Sequence, residues 1–70
     1  MKSRYAVIFE RAAHNWAAYV PDLPGCIATG KTLDLTRQRM RQAITAHLQA
    51  MREDGDSIPE PSHVEMLEVA

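Results

Sequence analysis

Seventy residues, a net charge of −1 and a single cysteine allow one small domain and exclude an internal disulfide. They give no field that would draw the whole chain to nucleic acid or to an anionic membrane. A chain this short buries only about 60% of the surface that its unfolded form exposes, so its core is marginal and self-association is the expected supplement. The apolar run after Met1-Lys2-Ser3-Arg4 ends at Glu10 and Arg11, too short for a signal peptide's apolar region or a membrane span. A soluble, cytoplasmic protein is the expectation.

Tyr5-Ala6-Val7-Ile8-Phe9 is a run of β-favouring residues between charged flanks and predicts a first strand. Arg11 to Asn15 reads as the hairpin connection. It lacks the Asn-Gly or Asp-Gly pair of a tight two-residue turn, so a longer loop is expected. Trp16-Ala17-Ala18-Tyr19-Val20 predicts the second strand. Both strands are apolar on both faces, which suggests that neither face is simply bathed in water. Pro21-Asp22-Leu23-Pro24-Gly25 then breaks the pairing. The prolines cannot donate ladder hydrogen bonds, and Gly25 takes positive φ at no steric cost. Cys26-Ile27-Ala28-Thr29 is a short third strand ending at Gly30.

The helix follows. Thr32 is placed to cap it, and Asp34 complements the positive end of its dipole. No Gly or Pro intervenes before Glu53. Leu33, Thr36, Met40, Ala43, Ile44, His47, Leu48 and Met51 recur at three- and four-residue steps and form one stripe, with Arg37, Arg41, Thr45, Gln49 and Arg52 outside it. Gly55 suits the position after the C-cap, and Pro59 and Pro61 prevent a restart. From His63 to Val69, Val64, Met66 and Glu68 alternate with Glu65, Leu67 and Val69, which predicts a fourth strand. The order β-β-β-α-β describes an α+β domain: an antiparallel meander with one helix across one face. The last strand returns to the sheet or pairs with another molecule. One helix covers one face only, so Ala6, Ile8, Ala17 and Tyr19, or their alternates Tyr5, Val7, Trp16 and Ala18, stay uncovered as an apolar patch of the kind that marks an interface.

The segment Tyr19-Val20-Pro21-Asp22-Leu23-Pro24-Gly25-Cys26 resembles the hallmark of the HicB-like antitoxin family. Upstream, an apolar strand precedes Trp16-Ala17-Ala18-Tyr19. Downstream come Gly30-Lys31-Thr32-Leu33, Ala43-Ile44-Thr45-Ala46-His47-Leu48, Glu53-Asp54-Gly55 and Ile58-Pro59-Glu60-Pro61-Ser62. The resemblance covers roughly residues 4 to 69. It implies a degenerate ribonuclease-H-like β-β-β-α-β domain without catalytic carboxylates, which associates as a dimer or tetramer and masks a HicA-type toxin, a small mRNA-cleaving ribonuclease. Two departures stand out. Longer relatives continue into a helix-turn-helix or ribbon-helix-helix domain, so residues 1–70 are expected to be one HicB-like domain that does not itself bind operator DNA. The helix also carries Leu35 and Arg37, where an acidic and an apolar residue are more typical.

Candidate chemistry is sparse. Asp22 reads as a turn residue accepting backbone N–H bonds within its loop. A two-metal nuclease site would need a cluster of acids, and only Glu10 is placed to join Asp22. His14, His47 and His63 with Cys26 lack the close ligand pairs of a zinc site. Cys26 suits a small buried hydrophobe, and no catalytic residue, metal or cofactor is expected. Arg37, Arg39, Arg41 and Arg52 form the basic concentration, with Arg37 and Arg41 sharing a face. Trp16 and Tyr19 have opposite strand parity, so one of them faces away from the helix as an interface anchor. Trp16, Tyr19, Arg37 and Arg41 are therefore the candidate partner-binding residues, and Pro21 to Gly25 the structural motif. The expected function is non-catalytic masking of a toxin, to which the acids Glu60, Glu65 and Glu68 offer a complement. The alternative is an orphan single-domain RNA-binding protein using the Arg face of the helix.

Overall fold

Alternation along the strands decides which side chains meet the helix. In the computed structural model, which describes residues 3–70, three strands form an antiparallel sheet of order β1-β2-β3: β1 (Ile8–Arg11), β2 (Trp16–Tyr19) and β3 (Ile27–Gly30). One helix, α1 (Leu33–Glu53), crosses one face. The α+β architecture is as expected up to that point. Phe9 pairs with Ala18 and Ala18 with Ala28, and this rung points at the helix. There Ala18, Val20, Leu23, Cys26 and Met40 are the buried core, with Tyr5, Val7, Phe9, Ala43, Ile44, Leu48 and Met51 packed around it.

The first connection runs over the four residues 12–15, longer than a two-residue turn, as expected. Arg11 pairs with Trp16, and the Ala12 amide donates to the Asn15 carbonyl at 2.8 Å, leaving Ala13 and His14 at the tip. No non-glycine residue described has positive φ, so this turn does without the left-handed residues that an Asn-Gly signature supplies.

The second connection is built from two turns in series. Leu23 N–H donates to Val20 O and Cys26 N–H to Leu23 O, each at 3.0 Å, while Val20 N–H reaches Cys26 O at 3.2 Å. Every third residue, Val20, Leu23 and Cys26, is buried. In the second turn Pro24 and Gly25 occupy the central positions with Gly25 at φ 84°, the arrangement a type II turn demands.

The helix begins where the chain predicts. The Thr32 hydroxyl accepts from Leu35 N–H, Asp34 lies in the first turn and Arg52 in the last. Gly55 at φ 76° follows the Asp54 C-cap. Thr36 is fully buried and its hydroxyl donates to Thr32 O at 2.7 Å. A Cβ on Gly30 would lie 2.7 Å from Thr36 Oγ1 and 3.0 Å from Thr36 N. The absent side chain at Gly30 lets the helix start press onto the end of β3.

The expected fourth strand does not form. Residues 56–70 carry no regular secondary structure, and the chain as folded is β-β-β-α. The segment is held at two points, where Tyr5 OH donates to Pro59 O at 2.5 Å and Ser62 binds Asp22. Beyond them it leaves the body: Met66 is 96% and Val69 91% exposed. The radius of gyration is 13.4 Å, against about 11 Å for a compact 70-residue domain.

Candidate protein-binding face

The face turned away from the helix carries an apolar row. Ile8 pairs with Tyr19 and Tyr19 with Ile27, so the three side chains line up across all three strands. They are 40%, 38% and 67% exposed, respectively. The next rung is Glu10, Ala17 and Thr29. Apolar atoms kept in water on a flat sheet are the raw material of protein association, and a tyrosine in the middle of such a row is a preferred anchor.

The four candidate partner-binding residues are not brought together. Tyr19 faces away from the helix and sits in the row. Trp16 has the helix-side parity, lies half-buried at the other end of β2, and has the Arg11 guanidinium 5.9 Å from its ring centroid. Arg37 and Arg41 border a groove between α1 and the segment entering β1. Tyr5, Val7, Phe9, Met40 and Ile44 line it, and Arg4 joins the two helix arginines around it. Arg37 bonds Asp34 at 2.5 Å and lies 5.9 Å from the Phe9 centroid. Arg39 turns the other way and donates to Thr29 O on β3 at 2.8 Å.

Asp22 accepts bonds, as expected, but its donors lie 40 residues away rather than in its own turn. Ser62 Oγ donates to Oδ1 at 2.6 Å and Ser62 N–H to Oδ2 at 2.9 Å. The hydroxyl first, and the amide second, hold this carboxyl below its usual range, because both favour the charged form. Both oxygens are thus committed to anchoring the segment that follows the helix. Cys26 is buried, and desolvation raises its pKa, which suits a packing role better than a nucleophilic one. Among the described residues, no three His, Cys, Asp or Glu side chains gather as a metal site. No helix there is long and apolar enough to cross a membrane.

Ile27, Arg4 and Ser62 were not singled out from the sequence. Ile27 follows from counting parity through the Val20–Cys26 pairing. The other two had no local signal, since they are brought into place by contacts distant in sequence.

Two relatives align with most of the chain. The "Uncharacterized 14.9 kDa protein in rep-hol intergenic region" of Haemophilus phage HP1 is 31% identical over 87% of this chain and 46% of its own length. The chain thus spans less than half of that relative. A "UPF0150 protein" of Archaeoglobus fulgidus is 33% identical over 79% of this chain and 84% of its own length. No solved structure matches. The family model described as the HicB_like antitoxin of bacterial toxin-antitoxin system matches residues 5–70. With the proline-punctuated double turn, the glycine-seated helix and nearly every described residue inside that match, the chain belongs to the HicB-like antitoxin family.

Proposed function

We propose that this chain is a non-catalytic antitoxin module that binds a small HicA-type mRNA-cleaving toxin and masks it sterically. The observation carrying this reading is the solvent-facing row Ile8, Tyr19 and Ile27 on a member of an antitoxin family. The module acts in the cytoplasm as a homo-oligomer. Co-expression with a toxin-class ribonuclease encoded beside it tests the reading. The chain restores growth and co-purifies with the ribonuclease, and Tyr19→Asp with Ile27→Asp abolishes both. Continued toxicity in the presence of the folded wild-type chain would refute it.

A second reading rests on the convergence of Arg4, Arg37 and Arg41 on one groove, a cationic arrangement suited to a phosphate backbone. It expects salt-dependent binding of a generic RNA that disappears in the Arg37→Glu, Arg41→Glu chain. Absence of binding at low salt removes it.

A further inference from the structure

The outer edge of β1 is the unprotected border of this sheet. β2 occupies one side of β1, and nothing among the described residues pairs with the other. At the opposite border, Arg39 covers the Thr29 carbonyl of β3. An uncovered edge over an apolar groove is a template for an added strand.

The segment after the helix has the matching properties. His63 Nε2 lies 2.5 Å from Glu65 Oε2, a contact between alternate residues that an extended chain makes on one side. Val64, Met66, Leu67 and Val69 are 57%, 96%, 78% and 91% exposed, so these four apolar side chains find little or no shelter in their own chain. Seven residues from His63 to Val69 reach about 23 Å as a strand, the length of the stretch from Tyr5 to Arg11. Charge is divided in the same way. All eight Lys and Arg lie in residues 1–52 with three acids, a balance of +5; residues 53–70 hold the other six acids and no Lys or Arg, a balance of −6. Arg4, Arg37 and Arg41 border the groove, while Glu65 and Glu68, three residues apart, put one acid on each face of an extended segment, so whichever face meets the groove brings a carboxylate to it.

We infer that residues 63–69 of one chain add to the free edge of β1 in a second copy of this chain, over the groove bordered by Arg4, Arg37 and Arg41. The anchors at Pro59 and Ser62 launch the segment away from its own body, which leaves its own groove empty. Reciprocal exchange fills both grooves and closes a two-fold dimer. Because the segment carries two apolar residues on each of its faces, one face extends the helix-side core and the other lengthens the open row. The inference rests on the homo-oligomeric part of the proposed function and gives it a site.

Light scattering on the full chain at tens of micromolar tests it. The wild type has twice the 7.9 kDa chain mass. The Arg37→Glu, Arg41→Glu chain and the Glu65→Lys, Glu68→Lys chain each fall to one chain mass, with their helical circular dichroism retained. An equimolar mixture of the two returns to twice the chain mass, since each segment then meets a groove of opposite charge. Met66→Asp, at a position in contact with almost nothing in its own chain, also gives the single mass. A wild-type monomer overturns this inference together with the homo-oligomeric reading. A wild-type dimer that survives the charge reversals, or single-mass variants that do not recover on mixing, overturn the exchange alone and leave oligomerisation to another surface.

Discussion

The two faces of this sheet are made from the same three strands and behave as different materials. On the helix side Ala18 and Val20 are 2% exposed, with Leu23 and Met40 at 1%. On the other side, one residue further along each strand, Ile8, Tyr19 and Ile27 stay in water. The difference is not one of hydrophobicity, because both sets are apolar. It comes from what the chain can place against them. Among the described residues α1 alone packs on the sheet, so the face it covers holds the core and the other stays open to water.

Disturbing the covered face has the largest expected effect. Met40→Ala empties the centre of the helix contact and costs about 2–5 kcal/mol, the range for such truncations in a packed core. Urea titration measures it, and a loss well below that range would mean that the helix is only loosely seated. Gly30→Ala forces a Cβ to 2.7 Å from the buried Thr36 hydroxyl and costs about 1–3 kcal/mol as overpacking. A double variant with Thr36→Ala removes the crowded hydroxyl, and one that recovers nothing would place the clash at the Thr36 backbone nitrogen, 3.0 Å from the added Cβ.

The smallest effect lies at the anchor of the trailing segment. Asp22 is depressed by Ser62, so its contribution is complete above the usual carboxyl value of 3.8 and is lost as pH falls through the lower value of the folded chain. Acidification through that lower value, below 3.8, therefore loosens the residues after Pro61 while the sheet and helix persist. Proton exchange at the Ser62 amide reports it, and Ser62→Ala removes the pH dependence of the anchor at the hydroxyl. An amide equally protected at all pH values would mean that the segment is held elsewhere.

The covered face could be read from the residues because its causes are local. The helix stripe from Leu33 to Met51, the Thr32 cap and the Gly25 and Gly55 positions all follow from spacing and from backbone preference. The double turn from Val20 to Cys26 also announces itself, since Pro21, Pro24 and Gly25 occupy central positions of its two turns. The first connection is legible only as a polar break between two apolar runs, because Ala13-His14 carries no turn signature. The alternation from His63 to Val69 predicts a strand that the structure does not form, because alternation alone does not supply an edge within the same chain. Which of Trp16 and Tyr19 faces outward was settled by register, and the meeting of Arg4 with Arg37 and Arg41 by tertiary packing; neither is encoded at short range. The Asp22–Ser62 bond spans 40 residues and has no local mark at all.

The most direct test of the division between the faces is calorimetric titration of the chain into the HicA-type ribonuclease that the proposed function names as its partner, comparing wild type with the Tyr19→Asp, Ile27→Asp variant. If the open face is the binding surface, affinity falls by about thirtyfold or more, the scale of losing a hot-spot anchor. The urea midpoint of the isolated chain shifts little, as for exposed positions outside a core. Undiminished affinity in the folded variant would contradict the account.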